Sequence, residues 1–165
     1  MASQRAPVNK LQALAKLQAM CARAERCSAD VRRKLAQWDL PDDETEWVLR
    51  QLMADRFVDD ARYAAYFVRD KAQFNRWGRN KIALALRAKG IDPEMAAEAL
   101  NQLDSNQDAQ TLAGLLARKQ RQVKAKSTYD LKAKLIRFGL SRGFAPALVM
   151  EQVNRALADI DTDSP

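Results

Sequence analysis

The sequence predicts an all-α protein built from three tandem three-helix, helix-turn-helix-like repeats that stack into an elongated, curved solenoid. Three observations predict it. The chain of 165 residues holds five glycines, five prolines and only 7% aromatics. Ala, Leu, Lys, Arg, Glu and Gln dominate, a composition that favours helices and asks for no sheet. The chain also matches itself. A shift of 51 residues lays "VRRKLAQWDLPDDETEWVLRQL" on "IALALRAKGIDPEMAAEALNQL", putting Val31 on Ile82, Leu35 on Leu86, Leu40 on Ile91, Leu49 on Leu100 and Leu52 on Leu103. A further shift of 53 lays "GIDPEMAAEALN" on "GFAPALVMEQVN", with Gly90 on Gly143, Pro93 on Pro146, Glu98 on Glu151 and Asn101 on Asn154. Lastly, the copies share one punctuation, a stop followed within three residues by a proline restart.

The first repeat spans about 8–55. Leu11, Leu14, Leu17 and Cys21 mark its leading helix, and Val31, Leu35 and Trp38 its second. After Leu40, Pro41 and Asp42 the third helix carries Val48, Leu49 and Leu52. The second repeat, about 59–104, opens on Asp59 as an N-cap, and Tyr63, Phe67 and Phe74 recur on one helical face. Its second helix carries Ile82 and Leu86 and stops at Gly90, the residue type best suited to the left-handed conformation past a helix end. Asp92 and Pro93 then restart the chain as N-cap and first helical residue, ahead of Met95, Ala96, Ala99, Leu100 and Leu103. The third repeat, about 107–158, begins with Ala109, Leu112, Ala113 and Leu116. There the 53-residue shift puts Gly139 where Leu86 sits, a mid-helix glycine costing about 1 kcal/mol relative to alanine. A shift of 49 would instead end that helix at Gly139; the downstream matches favour 53. Residues 1–158 are thus expected to form one elongated domain, and 159–165 a flexible acidic tail.

Charge follows the repeats. The net charge is +7, yet residues 1–60 balance, 61–91 carry eight Lys/Arg against one acid, and 92–117 carry none against five. Residues 118–145 then hold nine against one, and the remainder one against four. Such blocks segregate charge onto faces.

A solenoid offers a long surface in place of one deep cavity, which argues against an enzyme and a small-molecule substrate. No histidine is present, removing the commonest general base and zinc ligand. Cys21 and Cys27 cannot make a zinc site or a C-x-x-C pair, and neither G-x-x-x-x-G-K-[ST] nor G-x-G-x-x-G occurs. No catalytic residue, metal or cofactor is therefore expected. Asp59 and Asp60 read as capping residues, because neighbours on a helix do not converge on one ion. No run reaches the apolar length of a membrane span, and "MASQRAPVNK" lacks a signal peptide's apolar core, so a cytoplasmic protein is expected.

The stretch "F-V-D-D-x-R-Y-A" (Phe57, Val58, Asp59, Asp60, Arg62, Tyr63, Ala64), followed by Trp77, Gly78, Lys81, Ile82, Leu86, Lys89, Gly90 and Ile91, resembles the central signature of the RecX family, bacterial regulators of the RecA recombinase. "KLIRF" and "RGF", at 134–138 and 142–144, resemble the family's closing repeat. Two departures stand out. "WGRNK" replaces a more common glycine-proline before an arginine, and Gly139 stands where a bulky apolar residue is usual. The resemblance implies three repeats of three helices and a modulator, usually inhibitory, that lies along the groove of the RecA filament on DNA. There it would limit ATP hydrolysis, strand exchange and filament growth, in DNA repair, recombination and the SOS response.

The basic residues are the part that repeat grammar does not require. Candidate partner-binding residues are Arg62, Arg69, Lys71, Arg76, Arg79, Lys81, Arg87 and Lys89 in the middle repeat and Lys132, Lys134, Arg137 and Arg142 in the third. Reversing Arg79, Lys81, Arg87 and Lys89 together is expected to weaken partner binding and flatten its salt dependence with helicity intact. Phe57, Asp59, Asp60, Tyr63, Trp77, Gly78, Ile82, Leu86, Gly90, Pro93, Gly143 and Phe144 carry the motif and build the repeats. Trp77 either plugs a repeat interface or stands out as an anchor. Two readings compete with the recombinase regulator. One is a direct DNA-binding helix-turn-helix protein, since basic paired helices imitate that motif and give at least weak, non-specific DNA contact. The other is a plain scaffold whose charges only solvate its faces.

Overall fold

The structure is a computed structural model that describes residues 7–162. Among the described residues there are nine helices and no strand. Helices α1 (Lys10–Arg23), α2 (Ser28–Gln37) and α3 (Asp42–Ala54) make the first repeat. Helices α4 (Asp60–Gln73), α5 (Arg79–Ala88) and α6 (Pro93–Asn101) make the second, and α7 (Ser105–Gln122), α8 (Thr128–Ser141) and α9 (Pro146–Thr162) the third. In each repeat the first helix packs on the third; the second leans on both in the second and third repeats and on α3 in the first, and every extensive helix pairing stays within one repeat.

Each repeat accordingly buries its own core. Leu17, Val31, Leu35, Val48 and Leu52 fill the first. Tyr63, Val68, Ile82, Leu86 and Ile91 fill the second, and Leu112, Leu116, Leu135, Phe144 and Val149 the third. The exposed area is 11075 Å². A compact monomer of this mass would expose roughly 8,200 Å². The excess is what an elongated stack requires.

Local chemistry sets the boundaries. Asn9 and Gln12 form a reciprocal capping box on α1, with hydrogen bonds of 2.9 and 3.2 Å. Asp59, Asp92, Asp104 and Ser127 cap α4, α6, α7 and α8 with their side-chain oxygens. The second helix of every repeat ends the same way. Asp39, Gly90 and Gly143 take φ of 55°, 73° and 90°, and the next amide donates back to Leu35, Leu86 and Gly139 respectively. This equivalence decides the register in favour of the 53-residue shift. Gly139 lies inside α8, where an added Cβ would sit 2.9 Å from Val149 Cγ1. Its missing side chain is filled by α9.

Four apolar positions depart from the periodic reading, among them Ala113, exposed on α7. Leu11 is 64% exposed and Ala13 joins Leu17 in the core instead, because Leu11 lies about 120° round the helix from Leu17. Met95 is 38% exposed, while Ala96 and Ala99 face inward. Phe74, 76% exposed, sits at the C-cap of α4. The core contact at that end is made by Trp77, whose N–H returns to the Lys71 carbonyl at 3.0 Å. At the far end, helical backbone continues to Thr162, into the segment expected as an acidic tail; residues 1–6 and 163–165 lie outside the described residues. Among the described residues no helix is long and apolar enough to cross a membrane, and no cluster of His, Cys, Asp and Glu could hold a metal ion.

Candidate partner-binding surface

Of the signature residues, Tyr63, Ala64, Ile82, Leu86 and Ile91 fill the second core, while several of the others sit at the joints between repeats. Phe57 and Val58 pack back onto the first core, and Asp59 caps its own helix through the Arg62 amide at 3.0 Å. Asp60 does something different. Its carboxylate accepts from the Ser28 amide at 2.7 Å and the Ser28 hydroxyl at 2.6 Å, capping α2 from the neighbouring repeat. The residue at the N-cap of α2 is Cys27, which makes no side-chain cap, so the cap comes from outside. Cys27 is buried in the second core and its thiol points to the Lys89 carbonyl at 3.7 Å. Burial pushes that thiol above its ordinary pKa. Lys89 reaches Asp30 at 3.3 Å and Arg62 reaches Glu25 at 2.8 Å. The first joint therefore sets the N-terminus of α2 against the C-terminal turn of α5.

The second joint repeats this arrangement one unit along. The Gly78 N–H donates to the Arg142 carbonyl at 2.8 Å, and the Asn80 N–H to the Gly143 carbonyl at 2.9 Å. The first amides of α5, unpaired within their own helix, are thus satisfied by the end of α8. A Cβ on Gly78 would overlap Gly143 and Phe144, and one on Gly143 would overlap Lys81, so both glycines are required by contact. Arg79 closes the joint: it pairs with Asp108 at 2.8 Å and donates to the Leu100 and Leu103 carbonyls at 2.8 and 2.6 Å. Arg142 donates to the Asn75 carbonyl. Helices α8, α5 and α2 consequently meet head to tail, the C-terminal end of one against the N-terminal end of the next.

The candidate basic residues divide along these lines. Arg62, Arg79, Lys89 and Arg142 hold joints. Reversing Arg79 and Lys89, two of the four charges chosen from the sequence, would strike both joints along with any partner surface. Lys71 and Lys81 both lie over the Trp77 ring, 5.4 and 4.6 Å from its centre, and Lys71 also pairs with Asp70 at 3.4 Å. Trp77 is half-buried and packs against the second core. Lys134 pairs with Asp130 at 2.9 Å. Lys132 is half-buried and outside any ion pair among the described residues, and the Arg137 Nε leans on its own helix at the Ala133 carbonyl, 3.4 Å away. Arg69, Arg76, Arg87 and Arg137 remain exposed and outside any such pair. The sequence reading passed over two exposed aromatics, Tyr66 at 51% and Tyr129 at 84% exposure, and placed Phe74, 76% exposed, on the apolar face with Tyr63 and Phe67.

Two family profiles match the chain, "RecX, second three-helix domain" over residues 59–100 and "RecX, third three-helix domain" over 106–156. The chain belongs to the RecX family. A regulatory protein RecX of Clostridium perfringens (strain 13 / Type A) is 30% identical over 117 residues, 70% of this chain and 54% of that protein. One of Thermobifida fusca (strain YX) is 29% identical over 147 residues, 87% of this chain and 80% of that protein. The chain spans little more than half the length of the clostridial RecX. The crystal structure of RecX from Lactobacillus salivarius superposes with a TM-score of 0.80 at 20% identity, over 88% of this chain and 95% of that one. A second, of regulatory protein RecX, gives 0.82 at 24% identity over 88% and 73%. Both show the same fold.

Proposed function

We propose that this RecX-family chain binds the RecA recombinase filament on DNA and restrains its ATPase, strand exchange and growth. The observation that carries the reading is the match of the second and third repeats to the RecX domain profiles, on a three-repeat molecule that keeps several arginines exposed and unpaired. Unpaired arginines on the middle and third repeats speed encounter with an acidic partner, and shape and a few anchors supply specificity. A partner at work on chromosomal DNA puts the protein in the cytoplasm. No cofactor enters this reading.

The test is RecA ATPase on single-stranded DNA titrated with this protein, beside direct DNA binding without RecA. Dose-dependent loss of ATPase at protein levels that leave DNA unbound is the expected result. Unchanged ATPase at saturating protein would sink the reading. Saturable, sequence-preferring duplex binding at physiological salt would replace it with the direct DNA-binding alternative.

A further inference from the structure

The turn from α4 into α5 is held from four directions. The Phe74 N–H donates to Asp70 at 2.9 Å, the Trp77 N–H to Lys71 at 3.0 Å and the Gly78 N–H to Arg142 at 2.8 Å. The Arg142 guanidinium donates to the Asn75 carbonyl, and the Lys71 and Lys81 ammonium groups lie over the Trp77 ring. Within this frame Arg76 takes φ of 54°, a left-handed conformation that a side chain adopts only under constraint. Yet the same turn presents Phe74 to solvent at 76% exposure and Arg76 unpaired. On α4, Tyr66 and Arg69 stand three residues apart on one exposed face leading to it.

We propose that Phe74 and Arg76, flanked by Tyr66 and Arg69, form a preformed anchor for an apolar pocket rimmed by carboxylates on a partner protein. The proposal rests on the regulator reading and deepens it by naming the residues that grip the partner. Aromatic and arginine side chains are those that dominate protein interfaces. A turn already locked in place loses little freedom on docking, so its contacts convert more fully into affinity. The two free guanidiniums select an acidic rim. A nucleic-acid strand fits less well. Of the eight basic residues at 61–91, five are engaged by Glu25, Asp70, Asp108, Asp30 or the Trp77 ring, leaving Arg69, Arg76 and Arg87. Strongly salt-dependent DNA binding rests on about six to ten phosphate contacts.

The experiment compares wild type, Phe74→Ala and Arg76→Gly for binding to RecA filaments on single-stranded DNA and to that DNA alone. Thermal midpoints are measured in parallel. Glycine suits φ of 54° and removes the guanidinium, so Arg76→Gly separates docking from folding. Each variant is expected to lose about tenfold or more in filament affinity, with its midpoint unchanged or raised. Wild-type filament binding retained by both variants would overturn the anchor and leave the regulator reading standing. Absence of filament binding by wild type would overturn both. An equal loss of affinity for the bare DNA would assign the turn to nucleic acid and overturn the protein pocket.

Discussion

Two helical glycines show how much a missing methyl can mean. At Gly139 a Cβ would meet Val149 at 2.9 and 3.0 Å, with Leu112 at 3.5 Å, in the middle of the third core. At Gly114, inside α7, nothing lies within 4 Å. The same substitution therefore has opposite signs. Gly139→Ala is expected to destabilise by about 1–3 kcal/mol through overpacking. Gly114→Ala should stabilise by about 0.5–1 kcal/mol through helix propensity alone. Thermal or urea denaturation of the two variants checks both, and equal shifts would contradict the packing account of Gly139. The sequence marked Gly139 as anomalous because its register partner is Leu86, but the compensating residue, Val149, lies on another helix and carried no sign of its role. Tyr63 was legible as core from helical spacing, and burial pushes its phenol up to a pKa of about 12, leaving it neutral at physiological pH.

The helices were legible because periodicity, caps and stops are local, whereas the joints were not. Arg62, Arg79, Lys89 and Arg142 find their partners 37, 29, 59 and 67 residues away in the chain. Nothing within a helical window distinguishes such an arginine from Arg69 or Arg87, which carry the same charge and face solvent. Asp60 is the clearest case: read as a cap, it is one, but of α2 and not of its own helix. The first joint also confers a pH response. Burial raises the pKa of Asp30, but hydrogen bonds from Cys27 and Arg33 and the charge of Lys89 outweigh it, leaving the carboxyl below its ordinary value. A lowered native pKa contributes stability that is present above the unfolded value, about pH 4, and is lost as pH falls through the folded one. Asp30→Asn should therefore flatten the fall of the thermal midpoint below about pH 4, while lowering stability near neutrality. A variant as acid-sensitive as wild type would remove Asp30 from the joint's energetics.

Across the whole molecule, three separate apolar cores, with Cys27 and Ala29 of the first repeat packed into the second, mean that damage stays largely where it is made. Leu135 is fully buried in the third core. Leu135→Ala is expected to remove about 2–4 kcal/mol from that unit. Amide hydrogen exchange should then quicken in α7–α9 while α1–α3 keep their protection. Uniform loss of protection over all nine helices would show a stack more cooperative than its packing suggests. The head-to-tail line of α8, α5 and α2 has a mechanical side as well. Its links are stiff helices, but its couplings are carbonyl-to-amide bonds and ion pairs, which tolerate tilt far better than interdigitated side chains do. The chain is in effect three rods with two articulations. Bending of the stack would be taken up at those two places. At the second, backbone already touches backbone at Gly78 and Gly143, so the two helix ends have no room to move closer.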